Sequence, residues 1–229
     1  MLSNGREYSN KELKFISKSL PKFSNGLNVS GNLDEDKQGG FYKNYFRVNN
    51  WYISSYVGDS TYSNPCKQIE LDLDEATTRI DQIHFQKYDL VFNHTVLEHI
   101  KNPFQAFQNL EFLLAPNGIL ISVVPFIYKF HYSNGDFGDY WRYTPHSLEL
   151  LHKKFGLFLS QIKVGPLKGY EKYIITVASR SIEYKNSDIV DKKFLEWNNT
   201  LGENSLTSLT NNLIHKVSDL IKLKIVRRS

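Results

Sequence analysis

KYDLVFNHTVLEHIKNPFQAFQNLEFLLAPNGILISVVPF, residues 87–126, decides the fold. Its opening holds the apolar run Leu90, Val91 and Phe92 and stops at the polar pair Asn93 and His94, the pattern of a strand buried on both faces in a parallel sheet. Asn102 and Pro103 supply an N-cap and a proline at the first helical position. Phe104, Phe107, Leu110 and Leu114 follow at helical spacing, and Ala115 to Gly118 ends the run. ILISVVPF is apolar on both faces and belongs in the middle of a sheet.

Downstream, Thr144 and Pro145 start a second capped helix with Leu148, Leu151 and Phe155 on one face and Gly156 at its end. LFLSQIKV and YIITVAS, separated only by turn residues, predict an antiparallel hairpin. Upstream, residues 10–20 predict a short amphipathic helix, set against the sheet edge, that Pro21 closes. LNVSG (27–31), WYISSYV (51–57) and KQIELDL (67–73) are strand candidates, and FYKNYF could open a helix. The sum is an α/β, Rossmann-like, seven-stranded and mostly parallel sheet, with a C-terminal antiparallel hairpin and helices on both faces. Ligands of such sheets bind beyond the carboxyl ends of the strands, which marks Asn93 to Thr95 and Phe126 to Asp139 by position alone.

The chain of 229 residues fits one such domain. We expect it over residues 1–182, with an entry helix within 1–25 and a helical extension over 183–229 that is amphipathic and basic at its end. The formal charge of +4 equals that of residues 207–229, so the domain itself is neutral and a nucleic-acid partner is not expected. The extension could dock on the domain or a second subunit, or lie on an anionic membrane surface. A single cysteine, Cys66, excludes an internal disulfide and a multi-cysteine zinc site. No apolar run reaches the ~20 residues of a membrane span, and MLSNGREYSN has no apolar signal centre, so the expected compartment is the cytoplasm.

Residues 87–126, with the continuation HYSNGDFGDYWRYTPHSLELL (131–151), resemble the class I S-adenosylmethionine-dependent methyltransferases, in particular a type-11-like subgroup with a D-Y-W-R-[FY]-T-P stretch after the fifth strand. The resemblance implies methyl transfer from S-adenosylmethionine to a small-molecule or glycan-like acceptor, most simply at oxygen, in a setting such as surface polysaccharide biosynthesis. It places Asn93 and Thr95 beside the methionine part of the cofactor, and Asp72 with the neighbouring backbone of Leu73 at the adenine edge. Asn28, Ser30, Gly31 and Asn32 fall on the turn after the first strand. That turn departs from the family's E-x-G-x-G pattern: Asn28 stands for the acid, and Ser30 and Asn32 stand for glycines. On the acceptor side, His131 is the expected base, Asp139 its partner or substitute, and Tyr140, Arg142 and Tyr143 the expected substrate contacts.

Structural readings stand beside these. His131 and Asp139 could instead tie a long loop in place, and Arg142 could pair with Glu98 or Asp139 rather than an anion. Adjacent Glu98 and His99 point apart on a helix, so no metal is expected. The altered turn also leaves open a binding or assembly protein that has lost its cofactor. A dehydrogenase or epimerase is more distant, since residues 27–32 lack G-x-G-x-x-G.

Overall fold

The computed structural model describes residues 5–30, 33–55, 67–132, 137–166 and 171–181. Cys66 and the extension from residue 183 lie outside them, as do Gly31 and Asn32. Seven strands form one sheet in the order β3-β2-β1-β4-β5-β7-β6. These are β1 (Phe23–Asn28), β2 (Val48–Ser55), β3 (Lys67–Glu70), β4 (Tyr88–His94), β5 (Leu114–Ile127), β6 (Phe158–Gly165) and β7 (Lys172–Ser179). The first five run parallel, and β7 pairs antiparallel with both β5 and β6. The mostly parallel sheet and its reversed hairpin are thus both present.

Among the described residues three α-helices cover it: α1 (Gly5–Ser19), α2 (Pro103–Leu113) and α3 (Pro145–Lys154). Leu90 and Phe92, Ile119, Ile121 and Val123, and Ile175 and Val177 share one core cluster with Leu13 and Ile16 of α1. The entry helix therefore lies on the face of the sheet rather than its edge, because its apolar stripe meets the central strands. With strand residues alternating, Val91, Leu120, Val124, Ile174 and Ala178 point the other way. That side is closed by Ala106, Phe107, Leu110 and Leu113 of α2 and Leu148 and Leu151 of α3.

The first strand begins four residues earlier than its apolar pattern suggests, and FYKNYF forms a single 3-10 turn, Tyr42–Asn44, in place of a helix. Packing decides here: Tyr42 and Phe46 join the cluster under α1, so this segment needs only to deliver two rings. Helix α2 passes into β5 at Leu114 without a loop. Gly118 is required there, since a Cβ would lie 2.9 Å from the Tyr88 carbonyl oxygen.

Both proline-led helices carry the expected caps. Asn102 Oδ1 accepts from the Gln105 amide at 3.2 Å, and Thr144 Oγ1 accepts from the Ser147 amide at 3.2 Å while Ser147 Oγ accepts from the Thr144 amide at 2.9 Å. Replacing Thr144 by Ala removes one half of this reciprocal pair, and we expect a loss of about 1 kcal/mol in urea unfolding with an unchanged slope. An unchanged midpoint would show that the cap contributes nothing to α3.

Candidate functional site

The carboxyl ends of β1 and β4 lie side by side, with Asn28 opposite Phe92. Asn28 is fully buried and both ends of its amide are engaged: Nδ2 donates to Asp34 Oδ1 at 2.6 Å and Oδ1 accepts from the Ser30 amide at 2.8 Å. A carboxyl group thus does sit beside this turn, six residues on from Asn28. Asp34 also accepts from the Lys43 amide at 2.8 Å. Burial raises its pKa, against the pull of these hydrogen bonds. Ser30 Oγ accepts from the His94 amide at 2.7 Å and so fastens the turn to β4.

Asn93 is buried and donates from Nδ2 to Ser122 Oγ at 2.7 Å, while its Oδ1 has no partner among the described residues. Thr95 takes a left-handed conformation, with φ 55°, that turns the chain off the end of β4. His94, marked by its position at the strand end, lies on the opposite side of β4 from Asn93, and its partners were not foreseen. It is buried beneath α1: Arg6 Nη1 donates to Nδ1 at 2.8 Å, so Nε2 carries the proton and meets Ser9 Oγ at 2.9 Å. Burial, aided by the Arg6 charge, holds its pKa well below the usual range, and it stacks on Tyr42 at 5.4 Å. Nothing in the sequence near Arg6 announced this contact, because it joins positions 88 residues apart.

On the other side of β1, Asp72 and Leu73 follow β3. Asp72 Oδ1 accepts from the Asp74 amide at 2.8 Å, and Asp74 in turn accepts from the Lys101 and Asn102 amides at 3.1 and 2.9 Å. Leu73 is buried and its carbonyl accepts from Asn109 Nδ2 at 3.1 Å. These bonds tie the β3 end to the start of α2.

The residues expected on the acceptor side converge on the turn after β4. Residues 137–143 are laced to it: the Tyr140 and Trp141 amides donate to the Glu98 carbonyl at 2.8 and 3.2 Å, and Trp141 Nε1 donates to the Ile100 carbonyl at 2.8 Å. Tyr143 Oη donates to the Leu97 carbonyl at 2.9 Å, and His99 Nδ1 to the Gly138 carbonyl at 2.5 Å. Tyr143 is buried while Tyr140 is half exposed. Arg142 forks onto Asp139, with Nη2 to Oδ2 at 2.7 Å and Nη1 to Oδ1, and also donates to the Trp141 and Lys129 carbonyls. Its partner is therefore Asp139 and not Glu98.

Burial alone would raise the Asp139 pKa, but the Arg142 fork and the His131 amide, donating at 2.9 Å, hold the carboxyl below its usual value. It is ionised and its oxygens are occupied. His131 Nδ1 lies 3.7 Å from Asp139 Oδ2, beyond hydrogen-bond reach, and is buried without a partner among the described residues. The His131 ring meets His99 edge to face at 4.8 Å. Glu98 is fully buried, and burial pushes its pKa up to about 8 despite the nearby Arg142 and Arg6 charges. Among the described residues no group of three or more His, Cys, Asp or Glu could hold a metal ion.

Strand order, reversed hairpin and the polar residues at the carboxyl edge define the class I methyltransferase fold. Residues 61–122 match the family model for a methyltransferase domain. Solved structures agree across the sheet. A candidate methyltransferase from Bacillus halodurans is 12% identical, with 74% of this chain and 97% of that chain covered at a TM-score of 0.52. A candidate S-adenosylmethionine-dependent methyltransferase from Listeria monocytogenes is likewise 12% identical, with 75% and 97% covered at 0.53. The Burkholderia thailandensis 1,6-didemethyltoxoflavin-N1-methyltransferase, solved with 1,6-didemethyltoxoflavin and S-adenosylhomocysteine, is 13% identical, with 78% and 91% covered at 0.50. No curated protein sequence matches the chain.

Proposed function

We propose that the protein is an S-adenosylmethionine-dependent methyltransferase acting on a hydroxyl group of a small-molecule or glycan-like acceptor, in a cytoplasmic step of polysaccharide biosynthesis. The observation that carries this reading is His131, a histidine whose Nδ1 is buried on the carboxyl side of the sheet without a hydrogen-bond partner among the described residues, 3.7 Å from an ionised Asp139. A carboxylate at that distance favours the tautomer protonated on Nδ1, which leaves Nε2 with the lone pair that takes the acceptor's proton. Asp139, held by Arg142, fixes the loop that carries His131.

The residues present fit the cofactor at one point. Asn93 Oδ1 is a buried acceptor lacking a donor, and the cofactor brings ammonium and ribose hydroxyl donors. Asn28, Ser30, Gly31 and Asn32, with Thr95 just past β4 and Asp72 and Leu73 on the adenine side, would hold it. When bound, it supplies a methyl group on a positively charged sulfur, activated for in-line displacement. Tyr140 is proposed to reach the acceptor, with Arg142 and Tyr143 shaping the wall behind it. Residues 183–229 are proposed as a separate helical extension for docking or membrane contact.

A second reading, a methyltransferase-like binding or assembly protein without cofactor, is favoured by Asn28 and Ser30, whose side chains are already engaged within the protein. Calorimetric titration with S-adenosylhomocysteine separates the two. We expect binding, and the absence of both heat and thermal shift at millimolar ligand would reject the enzyme. His131→Ala should lower methyl transfer to glycosides by ~10²-fold or more, with S-adenosylhomocysteine affinity changed less than ~2-fold.

A further inference from the structure

Of the buried acids, Asp34 and Asp36 have their oxygens bonded to Asn28 and Lys43, and to Gln38, Gly40 and Tyr45, and Asp139 is held by Arg142. Glu98 is different. It is fully buried, and neither Oε1 nor Oε2 is hydrogen-bonded by another residue among the described ones; only its own backbone amide lies close enough to act on the carboxyl. A carboxyl group left so costs free energy until something supplies its bonds.

The groups around Glu98 do not supply them. From its own turn, His99 Nε2 stands 3.6 Å from Oε1. From the loop after β5, Arg142 and Asp139 bond each other, and Tyr143 bonds the Leu97 carbonyl. From α1, Arg6 is turned to His94, Tyr42 and Thr95, and from β7 the Tyr173 phenol faces it. His99 gives its Nδ1 proton to Gly138, so its Nε2 carries a lone pair. The cluster therefore offers one neutral acid group and one neutral imidazole nitrogen, and the ionised groups within it are already paired or turned elsewhere.

A second observation lies on the loop that faces it. Phe130, Tyr132, Phe137, Tyr140 and Trp141 are all more than 40% exposed, five aromatic rings within twelve residues, and Phe137 packs against His99 at 4.6 Å. Neutral groups that both give and take hydrogen bonds match hydroxyls, which do the same, and exposed ring faces match the C–H face of a pyranose. An ammonium, phosphate or carboxylate group would need a counter-charge to replace its water, and Asp139 and Arg142 already neutralise each other.

We infer that Glu98, in its protonated form and beside His99, hydrogen-bonds the hydroxyl groups of an uncharged sugar, so that the acceptor is a neutral glycoside rather than a sugar phosphate or a uronate. This rests on the methyltransferase reading for the site's purpose, though the binding it describes is independent of transfer. Glu98 acts in recognition; the proton of the reacting hydroxyl goes to His131.

The test uses the full chain loaded with S-adenosylhomocysteine. Methyl glucoside, galactoside, mannoside, rhamnoside and xyloside, and glucose 1-phosphate and methyl glucuronoside, are followed by ligand-observed NMR. We expect at least one neutral glycoside to bind at pH 7 and the charged sugars to bind less. With Glu98 ionising at about 8, affinity should fall about tenfold between pH 7 and pH 9. Glu98→Gln, which keeps one donor and one acceptor, should bind within about twofold of wild type and lose this pH dependence, whereas Glu98→Leu should bind at least tenfold more weakly.

Thermal unfolding gives a readout without sugar. The raised pKa means that the folded state resists ionisation, so wild type should lose stability relative to Glu98→Gln as pH climbs from about 4.5 to about 8, and then run parallel. Binding that is indifferent to Glu98→Leu, equal loss in Glu98→Gln and Glu98→Leu, preference for a charged sugar, or no neutral glycoside bound by protein that binds S-adenosylhomocysteine would each overturn the inference. Glycoside binding without S-adenosylhomocysteine binding would remove the transfer reading and leave this one standing.

Discussion

Asp139→Ala should destabilise the domain by about 3 kcal/mol and, with it, abolish ordered placement of His131 and Arg142. The Asp139 side chain is completely buried and serves three donors from two places in the chain: both terminal guanidinium nitrogens of Arg142 and the amide of His131. Its removal leaves a cation whose side chain is only 28% exposed without a counter-charge, and the lower end of the range for breaking a buried pair applies because Arg142 keeps some water. The carboxyl is held below its usual pKa, so its contribution is present above the unfolded value and is lost as pH falls through the folded one. The difference between wild type and Asp139→Ala should therefore be full at neutral pH and shrink below about pH 4. Urea unfolding at pH 7 and pH 3 measures both. A loss near zero at pH 7 would show that the fork is only a surface ion pair.

Phe92→Ala should be the larger effect, about 3–5 kcal/mol. Phe92 is fully buried at the centre of β4, with Tyr42 at 4.8 Å and Phe46 at 5.4 Å on the same side. These two rings come from the segment between β1 and β2, which over its described residues has only the single 3-10 turn Tyr42–Asn44 to hold them over the gap. For a domain of this size the loss corresponds to a fall of roughly 6–20 °C in Tm, read by calorimetry. A fall under about 3 °C would mean that the ring cluster collapses into the space and that the segment is looser than its packing indicates.

The fold was legible where the chain obeys a single period. β4, β5 and the two proline-led helices are marked by unbroken apolar runs and by caps three residues from their partners, and both signals are local. The segment from Leu33 to Arg47 was not legible in the same way. Its aromatic residues suggest a helix, but what they satisfy is a distant face built by α1, β4 and β5.

The site divides along the same line. Asp139 to Tyr143 could be located by their order in the chain. The partner of Arg142 was one of two candidates until the three-residue spacing to Asp139 proved to close a fork. The Arg6, His94 and Ser9 cluster links residues more than 80 apart and has no local signature. Glu98 was visible as a letter beside His99, but its lack of partners is a property of the assembled surroundings, which a sequence does not carry.

The seating of α1 bears on how such a chain comes to be folded at all. Its first residue, Gly5, has no room for a Cβ against the Tyr173 ring, its amide donates to Glu171 at 3.2 Å, and Glu12 pairs with Lys163 at 2.7 Å. The earliest helix is thus fastened to the latest strands. During synthesis on the ribosome it must wait about 150 residues for these contacts, while β1, β4 and β5 can already find one another. The natural clients of a chaperone are segments in that position. A nascent chain halted before β7 would be expected to hold the centre of the sheet but keep its first helix loose, and the Arg6 contact with His94 would form only with the last stitch.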